Sequence, residues 1–219
     1  MKFAILSLAI ATALVFPASA QKKSTGSKPA AAKAPAETTS TSLAIGAAIP
    51  SENEPFRAIK GQTLTLAQAK TSKGLLVMFS CNTCPFVIKA QKRTDEAMHL
   101  ATTNGVGVVI FNSNEAQRGD ADSEPAMVRY SDEQKYTVPY VKDDMSAMAN
   151  QFGATRTPEV FLFDANGKLV YKGALEDNPA DPHSSTKFYL RDALTALADG
   201  KPIAVKETKS IGCSIKRLN

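Results

Sequence analysis

The sequence predicts an α/β protein over residues 43–219, with a central mixed β-sheet flanked by helices and an N-terminal β extension. Two observations support this prediction. The uncharged apolar runs 75–79 and 106–111 are separated by a helix-like stretch, as a parallel crossover requires. The run 157–163 is followed by the stretch 164–171, which has Asn166-Gly167 at the tip of a short loop, as is typical of an antiparallel hairpin. A parallel unit followed by a hairpin makes the sheet mixed.

The first 42 residues differ in composition from the rest of the chain. Residues 1–20 combine a short basic start, an apolar stretch too short for a membrane span and the small residues Ala18-Ser19-Ala20, which predicts a cleaved secretory signal peptide. Residues 21–42 hold no aliphatic side chain larger than alanine, so we expect a disordered linker. The mature protein is therefore expected to be periplasmic or secreted, with no membrane span after cleavage.

The positive charge of the chain lies almost entirely in these leading residues. The formal net charge is +5, and residues 1–42 hold five lysines and one glutamate, so residues 43–219 are nearly neutral. A nearly neutral domain has no basic face on which to bind a phosphate backbone. We therefore expect no nucleic-acid partner.

Local signals place the other elements of the domain. We expect an extended segment at 43–49, a strand near 63–66, a brief helix at 67–71, a helix from the Ser123 cap to about residue 135, and a short strand at 138–141. A helix capped by Asp143-Asp144 and stopped by Gly153 would bury Met145, Met148 and Phe152 on one face. The last helix would bury Leu190, Leu194 and Leu197 and end at Gly200.

Cys81 and Cys84 are separated by two residues and lie where the buried run 75–79 meets a helix that Pro85 opens and Asn104-Gly105 closes. Free amides and the positive end of a helix dipole favour an anion, so we expect Cys81 at the helix tip as an exposed thiolate and Cys84 turned inward. This arrangement indicates disulfide-exchange chemistry.

Two other uses of the cysteine pair fit the sequence less well. A purely structural disulfide would close so short a loop that its gain in chain entropy is minor. A zinc site needs about four ligands, and the chain offers only Cys213, His99 and His183 beyond the pair, with none at paired-ligand spacing. We therefore expect neither a metal nor a cofactor, and we expect both histidines at the surface.

The strand that leads into C-x-x-C, the later Thr157-Pro158 and the last helix together resemble the thioredoxin fold. More narrowly, the sequence resembles secreted thioredoxin-like proteins of the alkyl hydroperoxide reductase and thiol-specific antioxidant (redoxin) superfamily. A branch of these is typified by C-N-H-C-P and a C-terminal G-C-x-I-K, which correspond to residues 81–85 and 212–216. The resemblance covers about residues 43–219. It implies a cis Thr157-Pro158 peptide beside the thiols, whose backbone edge binds an extended substrate.

The chain departs from these relatives at two positions that affect the chemistry. Thr83 replaces the histidine of the branch, so no imidazolium lowers the thiol pKa from there, and the couple should be less oxidising. Met78 stands where thioredoxin has a buried aspartate. Glu159 is the nearest acidic residue in sequence to Pro158, but an exposed glutamate at a strand end is the simpler interpretation.

Cys213 is the third thiol and lies between Ile211 and Ile215. Its small apolar surroundings fit a buried, inert cysteine as well as a reactive one. With the family resemblance, we expect Cys213 near the active site as an accessory thiol and alternative disulfide partner.

Three functions compete. The first is a thiol-disulfide oxidoreductase in which Cys81 attacks and Cys84 resolves, acting on protein or small-molecule disulfides and thiols with a separate redox partner. The second is a peroxiredoxin-like peroxidase, for which the segment before Cys81 lacks the P-x-x-x-T-x-x-C arrangement of a peroxide pocket. The third is a non-catalytic binding module that holds peptides at Thr157-Pro158, against which the intact C-x-x-C argues.

Overall fold

The computed structural model describes residues 41–218. The predicted signal peptide and all but the last two residues of the predicted linker lie outside this range. The strands are β1 (Phe56–Arg57), β2 (Thr63–Leu64), β3 (Leu75–Ser80), β4 (Gly107–Asn112), β5 (Tyr140–Lys142), β6 (Arg156–Thr157), β7 (Glu159–Phe163), β8 (Leu169–Gly173) and β9 (Cys213–Ser214). The α-helices are α1 (Leu66–Ala69), α2 (Pro85–Lys89), α3 (Gln91–Thr103), α4 (Glu124–Glu133), α5 (Ala147–Phe152) and α6 (Tyr189–Ala198).

The central sheet has five strands in the order β5-β4-β3-β7-β8. Strand β3 pairs parallel with β4 and antiparallel with β7, and β7 pairs antiparallel with β8. The parallel crossover, the hairpin and the mixed sheet are therefore confirmed. This is the thioredoxin fold that the sequence predicted.

Strand β3 is central because it can be buried on both faces. All six of its residues are buried. Side chains alternate across a strand, so Leu76 and Met78 face a core shared with α3, α4 and α6, while Val77 and Phe79 face a core shared with α1 and α5. Helices thus cover both faces of the sheet, as uncharged strands require.

The helix predicted after the cysteines is bent into α2 and α3. The bend lies at Ala90, whose ψ is 0°. Hydrogen bonds continue across it, because Ala90 N donates to Phe86 O at 3.0 Å and Thr94 N donates to Ala90 O at 2.9 Å. The predicted end at Asn104 is confirmed, since Asn104 is the C-cap of α3.

The run 157–163, which was predicted to be one strand, is divided at Pro158. Strand β6 ends at Thr157 and β7 begins at Glu159. Proline has no amide hydrogen to donate to a neighbouring strand. The two halves pair with different partners, because β7 lies in the central sheet and β6 pairs with the C-terminal β9.

The prediction that Met145 lies on the inner face of a helix is wrong. Met145 is 63% exposed and has a φ of 56°. The Asp143 carboxylate accepts hydrogen bonds from Met148 N at 2.8 Å and Ala149 N at 3.0 Å, so it caps a helix that begins only after Met145. Met148 and Phe152 are buried as predicted.

The N-terminal β extension is the two-stranded sheet of β1 and β2. The segment 43–49 has no strand of its own beyond one isolated bridge between Ala48 and Lys168. At the other end of the domain, α6 buries Leu190 and Leu194 and half-buries Leu197. Among residues 41–218, no helix has both the length and the apolar character needed to cross a membrane.

Candidate active site

The two cysteines of the C-x-x-C segment lie between the end of β3 and the start of α2. Cys84 is the N-cap of α2, and Pro85 is its first residue. Cys81 is three residues earlier and fully buried, at 0% exposure, whereas Cys84 is 4% exposed. The prediction that Cys81 lies exposed at the helix tip, with Cys84 turned inward, is therefore wrong.

Cys84 lies in the middle of a group of sulfur and backbone atoms. Its Sγ is 3.2 Å from the carbonyl oxygen of Thr157, to which the thiol donates. Once ionised, the sulfur instead accepts hydrogen bonds from the side chains of Cys81 and Cys213 and from the Val87 amide. These hydrogen bonds, that from Cys81 above all, lower the pKa of Cys84 to about 4.

Cys81 is the thiol of the pair whose pKa is raised. Its hydrogen bond to Cys84 and its burial raise the pKa of Cys81 well above the ordinary thiol value, and the nearby Asp122 carboxylate adds to this. The Thr157 hydroxyl, 3.5 Å from the Cys81 Sγ, acts in the opposite direction. The two sulfurs thus share one proton, and which of them attacks a substrate stays a prediction.

A buried carboxylate supports the loop between the cysteines. Asp122 is 0% exposed and accepts hydrogen bonds from the Asn82 amide at 2.8 Å, Asn112 Nδ2 at 2.7 Å and Asn114 Nδ2 at 3.0 Å. We name the buried residues around it the Asp122 cluster: Asn82, Asn112, Asn114, Asp122 and Tyr140. Since Asn82 is the residue next to Cys81, this cluster fixes the course of the C-x-x-C loop.

The side chain of Asn82 extends the same cluster. Its Nδ2 donates to Ala121 O at 2.9 Å, and its Oδ1 accepts from the Tyr140 hydroxyl at 2.7 Å. Arg118 Nη1 donates to Asn112 Oδ1 at 3.0 Å and to the backbone carbonyl of Asp122 at 3.0 Å, which ties the guanidinium to the cluster. Sequence reasoning missed the cluster, although one signal for it exists. Asn112 ends β4 beside the end of β3, and the carboxyl ends of parallel strands meet at one edge of a sheet.

The predicted cis peptide between Thr157 and Pro158 is confirmed. The backbone edge beside it is already occupied, because Thr157 pairs with Cys213 and Arg156 pairs with Ser214. The prediction that this edge is open to an extended substrate is therefore wrong for the chain as folded. Contact of a substrate with Thr157 or Pro158 stays a prediction.

The other residues considered as candidates in the sequence are Glu159, His99 and His183. The Glu159 carboxylate accepts from the amides of Thr155 at 2.8 Å and Arg156 at 2.9 Å, so it caps the turn before β7. His99 and His183 are exposed, as predicted. Within residues 41–218, no group of three or more His, Cys, Asp and Glu side chains is arranged to hold a metal ion. All three cysteines are free.

Cys213 joins the two predicted catalytic cysteines. It packs against the buried group formed by Cys81, Cys84 and Val87, and it is the most exposed of the three thiols. Burial and its hydrogen bond to Cys84 raise the pKa of Cys213 to about 11. The structure therefore brings all three cysteines of the chain to one place, with Cys84 in contact with both others.

Solved structures share this architecture. A hypothetical protein of Sinorhizobium meliloti 1021 is 32% identical, with a TM-score of 0.74, over 81% of this chain and 97% of that chain. An uncharacterized conserved protein of Geobacillus kaustophilus is 34% identical, with a TM-score of 0.72, over 80% of this chain and 93% of that chain. A putative thiol:disulfide interchange protein of Chlorobium tepidum, at 18% identity and a TM-score of 0.53 over 73% of this chain and 98% of that chain, shares the fold.

Among curated proteins, no relative matches the chain. The family model for Redoxin matches residues 33–188, which is most of the chain and includes both cysteines of the C-x-x-C segment. This match supports a thioredoxin-like redox function. The chain belongs to the redoxin family.

Proposed function

We propose that this chain is an extracytoplasmic thiol-disulfide oxidoreductase that exchanges disulfides through Cys81 and Cys84, with Cys84 as the attacking thiol. One observation carries the proposal. Cys84 lies at the start of α2, is the less buried residue of the C-x-x-C pair, and packs in one group with the second thiol of its own loop and with Cys213. A thiolate is the nucleophile in disulfide exchange, and a neighbouring thiol is needed to resolve the product.

In the first step, the Cys84 thiolate attacks one sulfur of a substrate disulfide. A bond forms between Cys84 and that sulfur, the substrate S–S bond breaks, and the other half leaves as a thiolate that takes a proton from water. Cys84 thereby loses its negative charge. The hydrogen bond to the Cys84 sulfur was the chief cause of the raised pKa of Cys81, so the pKa of Cys81 falls once Cys84 is bound to the substrate.

In the second step, Cys81 gives up its proton and attacks the Cys84 sulfur. The Thr157 hydroxyl, 3.5 Å from the Cys81 Sγ, is placed to donate to the thiolate that forms. The bond between Cys84 and the substrate breaks, and the second substrate thiol leaves with a proton. The protein ends with a Cys81–Cys84 disulfide, and the substrate has gained two electrons from the two thiols, one proton from Cys81 and one proton from water.

A single-turnover measurement tests the roles of the two thiols. Reduced protein is mixed with a chromogenic aryl disulfide, which releases one coloured thiol on attack and a second on resolution. We expect Cys84→Ser to lose both phases and Cys81→Ser to keep the first. A first phase that survives in Cys84→Ser and disappears in Cys81→Ser would return the attacking role to Cys81.

The extracytoplasmic location rests on the predicted signal peptide of residues 1–20. Expression of the full chain in a bacterium, followed by cell fractionation and N-terminal sequencing, tests it. We expect a mature chain in the periplasm or medium that begins at Gln21. An uncleaved chain in the cytoplasm would contradict the location and leave the thiol chemistry untouched.

A further inference from the structure

The C-terminal residues 212–216 lie along the backbone edge that precedes Pro158. Strand β9 runs antiparallel to β6, with Cys213 opposite Thr157. Thr157 also contacts both other thiols, through its carbonyl for Cys84 and its hydroxyl for Cys81. The residue that pairs with Thr157 is therefore held directly beside the reactive sulfur.

Gly212 permits this close approach. A Cβ atom at position 212 would overlap the carbonyl oxygen of Thr157, so any larger residue there would push the strand away. Glycine directly before Cys213 thus has a physical reason within this structure. The conformation of Gly212 itself is ordinary, since its φ is not positive.

Several contacts hold the strand in this position. Ile215 is buried at 5% exposure, and its amide donates to Thr155 O at 3.0 Å. The Lys216 amide donates to Asn114 Oδ1 at 2.9 Å, which ties the segment to the Asp122 cluster. The Lys216 carbonyl accepts from Ala116 N at 2.8 Å. Cys213 is consequently a fixed neighbour of Cys84.

Building on the proposed function, we propose that Cys213 is a second disulfide partner of Cys84, held by β9 in the position that the cysteine of an extended substrate would take. Cys84 is in contact with a fully buried thiol, Cys81, on one side and with a half-buried thiol, Cys213, on the other. The Cys84–Cys213 disulfide is then the oxidised form that a partner dithiol reaches from solvent.

The Cys84–Cys213 disulfide can form by either of two thiol-disulfide exchanges. When a substrate is bound to Cys84 as a mixed disulfide, Cys213 loses its proton and attacks the Cys84 sulfur, the bond to the substrate breaks, and the substrate leaves as a thiol. When the Cys81–Cys84 disulfide is present, the same attack forms Cys84–Cys213 and frees Cys81, which takes up a proton. This second exchange moves the disulfide toward the surface without net oxidation.

Peptide mapping detects the new disulfide directly. Cleavage after lysine places Cys81 and Cys84 together on the peptide 74–89 and Cys213 on the peptide 210–216. A Cys81–Cys84 disulfide stays inside one peptide, whereas a Cys84–Cys213 disulfide links the two. The purified chain is oxidised by a limiting amount of a small disulfide, quenched with acid, alkylated and digested.

We expect wild type to give both products and Cys81→Ser to give the linked peptides with little remaining mixed disulfide. In Cys81→Ser the link can only join Cys84 to Cys213. Accumulation of the mixed disulfide in Cys81→Ser, with no linked peptides, would overturn the inference and leave the proposed function intact. Failure of Cys84 to react with the small disulfide at all would overturn the proposed function itself.

A second variant tests the placement of Cys213 by β9. Gly212→Ala should displace the strand and lower the yield of linked peptides at least tenfold, while the internal Cys81–Cys84 disulfide still forms. Gly119→Ala is the matched control, because nothing lies within 4 Å of a Cβ at that position. A wild-type yield of linked peptides in Gly212→Ala would show that β9 does not position Cys213. If Gly212→Ala does not fold, the mapping of Cys81→Ser still decides the inference.

Discussion

The two sides of Cys84 are supported in different ways. On the side of Cys81, the loop rests on the Asp122 cluster, whose buried side chains form directional hydrogen bonds to one carboxylate. On the side of Cys213, the strand β9 is held by main-chain hydrogen bonds and by the buried side chain of Ile215. The first support is costly to break, because each lost partner leaves a buried polar group unpaired. Loosening the second support leaves fewer buried polar side chains unpaired, chiefly the Asn114 oxygen that accepts from Lys216 N.

This difference matters for a thiol that has two neighbours. Cys81 belongs to the rigid support and has no exposed surface, so a disulfide to it is protected from external thiols. Cys213 belongs to the more easily displaced support and is half-buried. A protein that stores and passes on a disulfide gains from such an asymmetry, because one partner retains the bond and the other presents it.

The largest effect is expected where the rigid support is broken. Asp122→Ala leaves three buried N–H donors without their acceptor, each at a cost of about 1–3 kcal/mol, so the free energy of unfolding should fall by about 3 kcal/mol or more. Urea denaturation measures this. Asp120→Ala, at an exposed carboxylate two residues earlier, is the control and should change stability by about 0.5 kcal/mol or less. Equal losses in both variants would show that the cluster is not the main support.

A smaller loss is expected on the other side. Ile215→Ala removes a side chain that is 5% exposed and packs into the core beside α5, so stability should fall by about 2–4 kcal/mol. Ile211→Ala, at 38% exposure on the same segment, should cost about 0.5 kcal/mol or less. The comparison is sharpened by single-turnover assays, in which Ile215→Ala should keep the first thiol release. Loss of that phase would mean that β9 is needed for attack as well as for presentation.

Local patterns in the sequence were sufficient for the sheet and for most helices. The uncharged run of β3 predicts a buried strand, and the Asn-Gly turn before β8 predicts a hairpin. The structure confirms both. The sequence also predicts where the helix begins, because proline is favoured at the first helical position. Pro85 is that first residue, so Cys84 is the N-cap. The prediction that Cys81 lies at the helix tip did not take into account that Pro85 places the helix start three residues later.

The Asp122 cluster and the place of Cys213 could not be read from local patterns. Asn82 and Asp122 are 40 residues apart, and their hydrogen bond forms only after β3 and β4 have paired. Cys213 reaches Cys84 through strand pairing across the domain.

The two sides should also differ in the pH dependence of attack. A lowered pKa of about 4 at Cys84 means that the thiolate is present above that value, so the first-phase rate of wild type should be flat from about pH 6 to about pH 8. The hydrogen bond from Cys81 is the largest cause of this lowering. In Cys81→Ala the pKa of Cys84 should therefore move up toward the ordinary value, and the rate at pH 6 should fall about tenfold below the rate at pH 8.

Stopped-flow rates and the ultraviolet absorbance of the thiolate measure this pH dependence. Cys213→Ala is the paired variant on the other side. Cys213→Ala removes a smaller contribution to the lowered pKa of Cys84, so it should shift the pH dependence of the first-phase rate less than Cys81→Ala does. A wild-type rate that falls steeply between pH 8 and pH 6 would contradict the assignment of the charge to Cys84.

The smallest effect is expected from a charge placed between the two cysteines but outside both supports. Thr83 is exposed, and its hydroxyl donates a long hydrogen bond, 3.5 Å, to Gln117 Oε1. An imidazolium in Thr83→His would stabilise the Cys84 thiolate and hence the reduced form, which raises the reduction potential. Water screens exposed charges, so the gain should be about 1 kcal/mol or less, or about 20 mV.

The protonation of histidine gives this last prediction its control. The imidazole is mostly charged at pH 6 and mostly neutral at pH 8, so the rise in potential should be present at the lower pH and fade at the higher one. Equilibration in glutathione buffers at both values measures it, with the neutral Thr83→Gln alongside. A rise of about 60 mV or more, or one of equal size at both pH values, would mean that position 83 acts through the structure of the loop. In that case the Asp122 cluster would not hold the C-x-x-C segment as rigidly as its hydrogen bonds indicate.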